Sequence, residues 1–349
     1  MKLHNIQPLC IQFYNKATSR QERRAYEKLR QHYYNQFWKQ ACRSIDAGLE
    51  PLGDDFLRIT KSGRWTIVRQ SNVMLDNHLT LNLAGNKKVM QGLLAELNCP
   101  IPKTFPFQSH DLNAALDYQQ SRQRTLVVKP QGGSTGQGVT VNIKTEAQLK
   151  KAIKQAALVD TNLLIEDHIA GASYRLLYLH GQFIDAVRRD SPVLLGNGKD
   201  SIKALIKQDN KNRLDLNNII ALSPLQIGQE CRSTLARQGF KLSDIAKAGC
   251  EVEIMKVVNL NAAAQNHIVR DQVHPDIISM GSQVVQQLNI ELAGVDIIAE
   301  DISLPLSIEN GVINEINTTP GLHHHDLVAE QDQRVNIGAL LLEHLLVYR

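Results

Sequence analysis

Hydrophobic and polar positions along this chain of 349 residues follow two periods, one typical of helices and one typical of strands. Near the N-terminus, apolar side chains recur every three or four residues, which predicts a helix with one apolar face. These positions are Tyr26, Leu29, Tyr33, Phe37 and Ala41. The spacing of Ser19 and Glu22 predicts a capping box at its start. A further helix is predicted over 86–98, because Pro100 and Pro102 interrupt the helical period behind it.

The other apolar runs are short, and several alternate with polar residues, a pattern that predicts strands. The predicted strands cover residues 64–68, 126–130, 139–143, 162–166, 175–179, 182–189, 293–298 and 311–317. His180 and Gly181 separate two of them, a two-residue link typical of a tight hairpin. Thr145 is placed to cap a helix that ends near residue 157. Together these elements predict an α+β fold built on antiparallel sheet.

Composition and charge exclude several classes of protein. Hydrophobic residues make up 43% of the chain and charged residues 21%, a balance that favours a folded chain over a disordered one. The net charge of +4 is dispersed, so we expect no nucleic-acid partner. No apolar run approaches the ~20 residues of a membrane span, and no secretory signal is recognisable. The five cysteines lack metal-binding or CxxC spacing, so we expect a cytoplasmic protein with reduced, buried thiols.

Four glycines lie within seven positions, between two of the predicted strands. This loop contains Gly132, Gly133, Ser134, Thr135, Gly136 and Gly138. Such a loop can turn backbone N–H groups toward phosphate oxygens, although glycines alone are also typical of a flexible hairpin loop. Dinucleotide-binding and Walker loops lead into a helix, so the strand that follows here excludes both. A flap over a triphosphate remains, with Lys129 on the incoming strand placed to neutralise phosphate charge.

Oxygen ligands for a cation are concentrated on two predicted strands. Alternation places Glu315 and Asn317 on one face of a strand, about 7 Å apart, with Ile313 before them and Asn314 on the opposite face. A second strand places Asp296 among apolar neighbours, where an acid needs an ion pair or a metal. Each acid alone is compatible with a simple salt bridge. The three residues together favour a Mg²⁺ site, since Mg²⁺ binds between carboxylates and substrate phosphates.

The order of these motifs resembles that of the ATP-grasp carboxylate–amine ligases. The matching stretches are Val127–Pro130, the glycine loop, Glu166–Ile169, Tyr174–Arg175, Gly294–Asp296 and Glu315–Gly321. Within that family the resemblance is closest to the ATP-grasp part of cyanophycin synthetase, and next to the glutathione-synthetase module of bifunctional glutathione enzymes. The resemblance implies two α+β lobes that grip ATP. It implies an accessory substrate region over 1–85 and an ATP-grasp domain over 86–349, with a lid subdomain at about 101–168 and a metal-binding subdomain at about 169–349.

The resemblance also implies a role for individual residues. Lys87 and Lys129 match lysines that contact ATP phosphates, and residues 132–138 match the flap over them. Glu166 and Ile169 match the hinge that binds adenine, and Arg175 and Arg189 match basic residues that face the transferred phosphate or the substrate carboxylate. Asp296, Glu315 and Asn317 match the ligands of two Mg²⁺ ions, which Mn²⁺ could replace.

The implied reaction joins a carboxylate to an amine through an acylphosphate, with release of ADP and phosphate. We expect amino-acid-like or short peptide substrates, and Arg175, Arg188 and Arg189 favour carboxylate-rich ones. Three alternatives remain open: a ligase that modifies a peptide or protein chain, a phosphotransferase, and a non-catalytic nucleotide-binding protein. No membrane partner is expected, and homodimers are common among ATP-grasp relatives.

Several positions depart from the family pattern. Ser173 stands where many relatives have an acidic or otherwise polar residue that contacts ribose, and residues 259–264 lack the small polar and glycine residues of cyanophycin synthetases. The chain ends at Arg349 without a Mur-ligase-like part, so we do not expect cyanophycin as the product of this chain alone. The run His323–His325 is open to three interpretations: a metal site, contact with substrate, or a solvated loop.

Overall fold

The computed structural model describes residues 20–348, except for residues 123, 133–137, 218, 221–222 and 256–265. The α-helices are α1 (Arg20–Ser44), α2 (His78–Gly85), α3 (Lys87–Glu96), α4 (Leu112–Ser121), α5 (Glu146–Ala156), α6 (Ile202–Arg213), α7 (Gln229–Arg237), α8 (Pro275–Gln287), α9 (His323–Asp326) and α10 (Ile337–Glu343). A 3₁₀ turn covers Arg270–Gln272, and a π-helical turn covers His344–Tyr348.

The strands are β1 (Gly48–Gly53), β2 (Phe56–Lys61), β3 (Arg64–Arg69), β4 (Asn72–Val73), β5 (Thr104–Gln108), β6 (Leu126–Pro130), β7 (Thr140–Ile143), β8 (Asn162–Asp167), β9 (Ala172–Leu179), β10 (Gln182–Arg189), β11 (Val193–Leu195), β12 (Glu251–Glu253), β13 (Asn266–Ile268), β14 (Leu292–Ala299) and β15 (Gly311–Asn317). They form sheets of the orders β1-β2-β3-β4, β5-β8-β6-β7, β11-β12 and β13-β10-β9-β14-β15. Neighbouring strands pair antiparallel, which confirms the predicted α+β class.

The five-stranded sheet separates two cores, because successive side chains of a strand point to opposite faces. One face carries Tyr174 and Tyr178 of β9 and packs against α2, α3 and α8. The other face carries Leu177 and Leu179 of the same strand and packs against α1 and α10. Arg175 is two residues before Leu177 on the same strand, so its side chain projects from the same face of the sheet as the two leucines.

The predicted N-terminal helix is confirmed as α1, while Ser19 lies outside the described residues. Leu29, Tyr33, Phe37 and Ala41 are all buried, as their spacing predicts. The core they enter is shared with α10 and with the five-stranded sheet, so residues 20–85 pack closely against the C-terminal part of the chain. The boundary at residue 85 therefore stays a prediction.

The four-stranded sheet β5-β8-β6-β7 has a separate core of its own, formed with α4 and α5. Thr145 caps α5 as predicted and forms a reciprocal capping box with Gln148. All of this sheet lies within the range predicted for the lid, although the limits of the subdomain remain a prediction. A fourth core joins β11, β12, α6 and α7.

No helix of the described residues combines the length and the apolar character needed to cross a membrane.

A β-bulge interrupts β15 where it passes β14. Ile297 pairs with Ile313, but the next pair joins Asp296 to Glu315, so Asn314 is an extra residue in the ladder. Ile313 therefore enters the same core as Ile316 and does not share a face with Glu315, contrary to the simple alternation predicted from the sequence.

The close approach of α8 to β9 depends on a glycine. A Cβ at Gly281 would lie 2.2 Å from Oη of Tyr178. We expect Gly281→Ala to lower the free energy of unfolding by about 1–3 kcal/mol through overpacking. Gly92→Ala in α3 is the matched control, because a Cβ there meets no atom within 4 Å, and alanine should stabilise the helix by about 0.5–1 kcal/mol. Urea unfolding measures both; equal effects would contradict the packing argument.

Candidate active site

The centre of the site is a buried ion pair between β9 and β14. Arg175 and Asp296 are register partners, so their side chains project from the same face of the sheet. Arg175 donates from Nε to Oδ1 at 2.7 Å and from Nη2 to Oδ2 at 2.8 Å, a bidentate geometry. The side chains are only 9% and 2% exposed, respectively, so the pair has little contact with water.

Side chains from the flanking strands contact the same carboxylate. Arg189 Nη2 lies 3.2 Å from Asp296 Oδ2, and Asn317 donates from Nδ2 to that oxygen at 3.3 Å. Burial would raise the pKa of Asp296, but Arg175 and Arg189 outweigh burial and hold the pKa below its ordinary value. Burial lowers the pKa of Arg189 to about 10. One ionised carboxylate thus holds two buried guanidinium groups on one face of the sheet.

The oxygen ligands predicted from the sequence lie together. Glu315 is the register partner of Asp296, and Asn317 follows two residues later on the same face. Two carboxylates and an amide oxygen are a donor set suited to a hard divalent cation such as Mg²⁺, so these residues fit the metal that the family resemblance implies. Asp296 is already engaged by Arg175 and Arg189, and a cation would compete with them for its oxygens.

A second charged centre lies on the four-stranded sheet. Lys129 Nζ on β6 is 2.7 Å from Oε1 of Glu166 on β8, and both side chains are buried. The same oxygen accepts hydrogen bonds from Gln91 Nε2 at 2.7 Å and from Thr104 Oγ1 at 3.2 Å. Glu166 therefore ties α3, β5 and β6 together. Ile169 lies three residues beyond Glu166, half-buried in the segment that links this sheet to β9.

Lys87 interacts electrostatically with residues of both charged centres. It is the first residue of α3, whose N-terminus is fixed because Asn86 Oδ1 accepts a hydrogen bond from the Val89 amide. Burial lowers the pKa of Lys87, and the positive charge of Lys129 lowers it further. The carboxylates of Glu315 and Glu166 act in the opposite direction and raise it. Lys87 is therefore within electrostatic reach of the central sheet and of the four-stranded sheet at once.

The glycine loop is anchored at both ends. The Gly132 amide donates to Asp160 Oδ2 at 2.8 Å. Gly138 has a φ of +73°, and a Cβ there would lie 2.9 Å from Cγ of Pro130, so a larger residue would be strained and crowded. The antiparallel pairing of β6 with β7 confirms the predicted strand–loop–strand order. Gly133, Ser134, Thr135 and Gly136 lie outside the described residues.

The three consecutive histidines are buried in the short helix α9, so the solvated-loop interpretation is wrong. His323 Nδ1 lies 3.1 Å from Tyr34 Oη, and His325 Nδ1 lies 2.9 Å from Oδ2 of the fully buried Asp185. Burial is the main reason that the pKa of His323 falls to about 3. Burial is the main reason that the pKa of His324 is also lowered, and the charges of His323, Arg175 and Arg189 add to the effect, so its ring lies within electrostatic reach of both arginines.

Some residues singled out by sequence lie elsewhere. Arg188 is the register partner of Tyr174, whose side chain enters the core on the opposite face, and it pairs with Asp190 at 2.8 Å. It does not join Arg175 and Arg189. Ser173 accepts a hydrogen bond from Arg189 Nη2 at 2.7 Å. Residues 259–264 lie outside the described part of the chain.

Sequence reasoning missed Asp160, which holds the base of the loop, and Asp185, which holds His325. The signal for Asp185 was present, because it is a single acid within the apolar run 183–187 and resembles Asp296 in that respect. Gln91 and Thr104 carried no such signal, since their contact with Glu166 depends on the packing of distant elements.

Removing the central carboxylate should be costly. We expect Asp296→Asn to lower the free energy of unfolding by about 3–5 kcal/mol, because two buried guanidinium groups lose their counter-charge. Asp190→Asn is the matched control: it removes the partner of the half-exposed Arg188 and should cost less than about 1 kcal/mol. Chemical denaturation of the three proteins makes the comparison, and similar losses in both variants would contradict the central role of Asp296.

The buried histidines should make stability sensitive to acid. Below pH 6.5 the unfolded chain binds a proton at His323, while the folded chain, with a pKa of about 3, does not. Stability should therefore fall as the pH drops from 6.5 toward 3, by about 2 kcal/mol at pH 5 from His323 alone. We expect His323→Asn to show a shallower loss between pH 7 and pH 5, and the exposed His110→Gln to leave the slope unchanged. An unchanged slope in His323→Asn would refute this origin.

Comparison with known proteins gives the family context. No protein-family model matches the chain. The chain is 28% identical to the cyanophycin synthetase of Trichormus variabilis over 266 residues, which cover 75% of this chain and 29% of that protein. It is 23% identical over 287 residues to the glutathione biosynthesis bifunctional protein GshAB of Clostridium perfringens, with 81% and 37% covered. The chain spans about a third of the length of these curated relatives.

Solved structures agree with the sequence relatives. The bifunctional glutathione synthetase from Pasteurella multocida superposes with a TM-score of 0.56 at 20% identity, over 86% of this chain and 41% of that one. The chain is thus a homologue of cyanophycin synthetases and bifunctional glutathione enzymes and has the fold of the ATP-grasp ligases, as its motifs predict.

Proposed function

We propose that the chain is an ATP-dependent carbon–nitrogen ligase that forms an amide or peptide bond through an acylphosphate. The observation that carries the proposal is that Lys87 lies within electrostatic reach both of Glu315 on one sheet and of the Lys129–Glu166 pair on the other. Cations for phosphate groups and oxygen ligands for a cation therefore meet at one place, which phosphoryl transfer from a nucleotide requires. The names of the sequence relatives support an enzyme of this class.

Each side chain then has a role in the proposed reaction. Lys87 and Lys129 bind ATP phosphates beneath the loop of residues 132–138. Glu166 and Ile169 bind the adenine ring. Asp296, Glu315 and Asn317 would hold Mg²⁺, either one ion or two. Bound Mg²⁺ neutralises phosphate charge and polarises the transferred group. Arg175 and Arg189 stabilise the anionic carboxylate and acylphosphate, and their burial strengthens that effect.

The bonds balance without a nucleophilic side chain. A carboxylate oxygen of the substrate attacks the γ-phosphorus of ATP, and the bond to the bridging oxygen breaks with release of ADP. The amine then attacks the acyl carbon, phosphate leaves with the former carboxylate oxygen, and the amine loses a proton. The chain has only to hold the reactants in line and to stabilise negative charge, which the arginines and lysines described above can do.

Buried polar atoms beside Arg189 support an amino-acid substrate. Arg189 and Asn266 are register partners on β10 and β13, and both side chains are buried. In the described part of the chain, Arg189 Nε and Asn266 Oδ1 have no hydrogen-bond partner. A buried donor and a buried acceptor without partners are unfavourable. A substrate that brings a carboxylate to Nε and an amine to Oδ1 would satisfy both, and free amino acids and peptide ends carry these groups.

The nature of the acceptor remains the open part of the proposal. Free amino acids and short peptides are favoured over a protein chain, because Arg189 and Asn266 are buried. Arg188 lies on the opposite face of the sheet, so only Arg175 and Arg189 support the expectation of a carboxylate-rich substrate. The buried, unpaired cysteines Cys42, Cys99 and Cys231 support action in the reducing cytoplasm.

The decisive test is ADP release by the purified chain with Mg²⁺-ATP and pairs of amino acids and dipeptides, followed by mass spectrometry. We expect ADP release that depends on both substrates and a product lighter than their sum by one water. Glu315→Gln should lower the rate by about 10²–10³-fold, because a charged oxygen ligand of the cation that would neutralise phosphate charge is lost. Glu309→Gln, in the exposed loop before β15, is the isosteric control and should retain full activity.

Two outcomes would reject the proposal, and a third would change only its substrate. A stable product that carries phosphate would indicate a phosphotransferase. ATP binding without turnover, unchanged in Glu315→Gln, would indicate a non-catalytic nucleotide-binding protein. ADP release only with a peptide or protein acceptor would indicate a ligase that modifies such chains in place of free amino acids.

A further inference from the structure

Three potential metal ligands meet at the edge of the central sheet, outside the proposed ATP site. His180 lies in the turn of the β9–β10 hairpin, Glu291 directly precedes β14, and His344 follows α10. One donor atom of each lies within 4.8 Å of the other two. His180 is five residues beyond Arg175 along β9, or roughly 16 Å, so this cluster is distinct from the candidate Mg²⁺ ligands.

The backbone already holds two of these residues in place. The His180 amide donates to the Glu291 carbonyl at 2.7 Å, and the Glu291 amide donates to Asp76 Oδ1 at 2.8 Å. His180 has a φ of +51°, the left-handed conformation required by a tight hairpin turn. A main-chain hydrogen bond thus fixes the hairpin turn against the start of β14, and the Asp76 side chain holds the start of that strand.

The third ligand comes from the well-packed C-terminal segment. Leu341, Leu342 and Leu346 are buried in the core beneath α1, on either side of His344 in the sequence. The change from α-helix to π-helical turn begins at His344 itself, and π-turns are frequent at functional positions. Ligands carried by such packed elements need little reorganisation when a metal binds.

The donor spacing suits a tetrahedral ion. His180 Nδ1 lies 3.0 Å from Glu291 Oε2, and His344 Nε2 lies 3.5 Å from the same oxygen. Zinc bonds of about 2.0–2.1 Å place tetrahedral ligands roughly 3.3–3.4 Å apart, so both distances to the Glu291 oxygen need only small adjustments. Two imidazoles and one carboxylate favour Zn²⁺ over Mg²⁺ or Ca²⁺, which prefer oxygen ligands.

We propose that His180, Glu291 and His344 form a zinc-binding site that links the C-terminal segment to the β9–β10 hairpin. The side chain of His180 is 68% exposed, so the fourth position of the ion is open to water. The inference does not depend on the proposed ligase activity. The simpler alternative is a glutamate that forms ion pairs with two histidines, and the two differ in whether Zn²⁺ binds tightly and with fixed stoichiometry.

The test is calorimetric titration of chelator-treated protein with Zn²⁺ in excess Mg²⁺, which fills the oxygen-ligand site. We expect one Zn²⁺ equivalent whose affinity falls at least about tenfold in His344→Gln, and likewise in His180→Gln. His110→Gln, an exposed histidine elsewhere, should bind like the wild type. Zn²⁺ should raise the Tm of the wild type and of His110→Gln but not of the two ligand variants, since only a ligand of the folded state stabilises it.

Two results would overturn the proposal: the same Zn²⁺ stoichiometry and affinity in all four proteins, or no Zn²⁺ bound by the wild type. His180→Gln keeps the experiment interpretable if His344→Gln folds poorly, because the His180 ring is largely exposed and its substitution leaves the core intact. Replacement of Zn²⁺ by Co²⁺ gives an independent readout, in which the visible spectrum of a tetrahedral ion should appear in the wild type and disappear in both ligand variants.

Discussion

The ion pair between Arg175 and Asp296 is the interaction on which the rest of the site depends. It joins neighbouring strands inside the protein, where an isolated charge would be very unfavourable, so each charge requires the other. The same carboxylate also holds Arg189 and receives Asn317, and it lies opposite Glu315. Strand register thus sets the relative positions of the cationic groups and of the oxygen ligands through a single acid.

Much of this arrangement could be predicted from the sequence, because it depends on local rules. The limits of β6, β10 and β15 agree with the predicted strands at both ends, since short apolar runs there are bounded by glycine, proline or polar residues. The resemblance to the ATP-grasp ligases predicts that Lys129, Glu166, Asp296, Glu315 and Asn317 share one site, because the order of their motifs matches that of the family. Their roles remain proposals, but their proximity is a property of the structure.

What could not be predicted depends on contacts between distant segments. The bulge at Asn314 moves Ile313 into the core, and nothing in the alternating pattern indicates that one residue is extra. The sequence leaves the histidines after Gly321 open to three interpretations, whereas in the structure they are buried in a helical turn that contacts α1. Their burial needs Tyr34 and Asp185, which are 289 and 140 residues away in sequence. No local spacing rule reaches that far.

The packing of α1 against α10 has a consequence for how the protein is made. Gly338 allows α10 to approach Phe37 and Ala41 closely, so the apolar face of α1 is completed by a segment that is synthesised about 290 residues later. At a translation rate of about 5–20 residues per second, that delay is roughly 15–60 s. During this interval the nascent helix exposes tyrosine, phenylalanine and tryptophan side chains that are buried in the finished protein. The core around α1 can therefore be completed only after α10 has been synthesised.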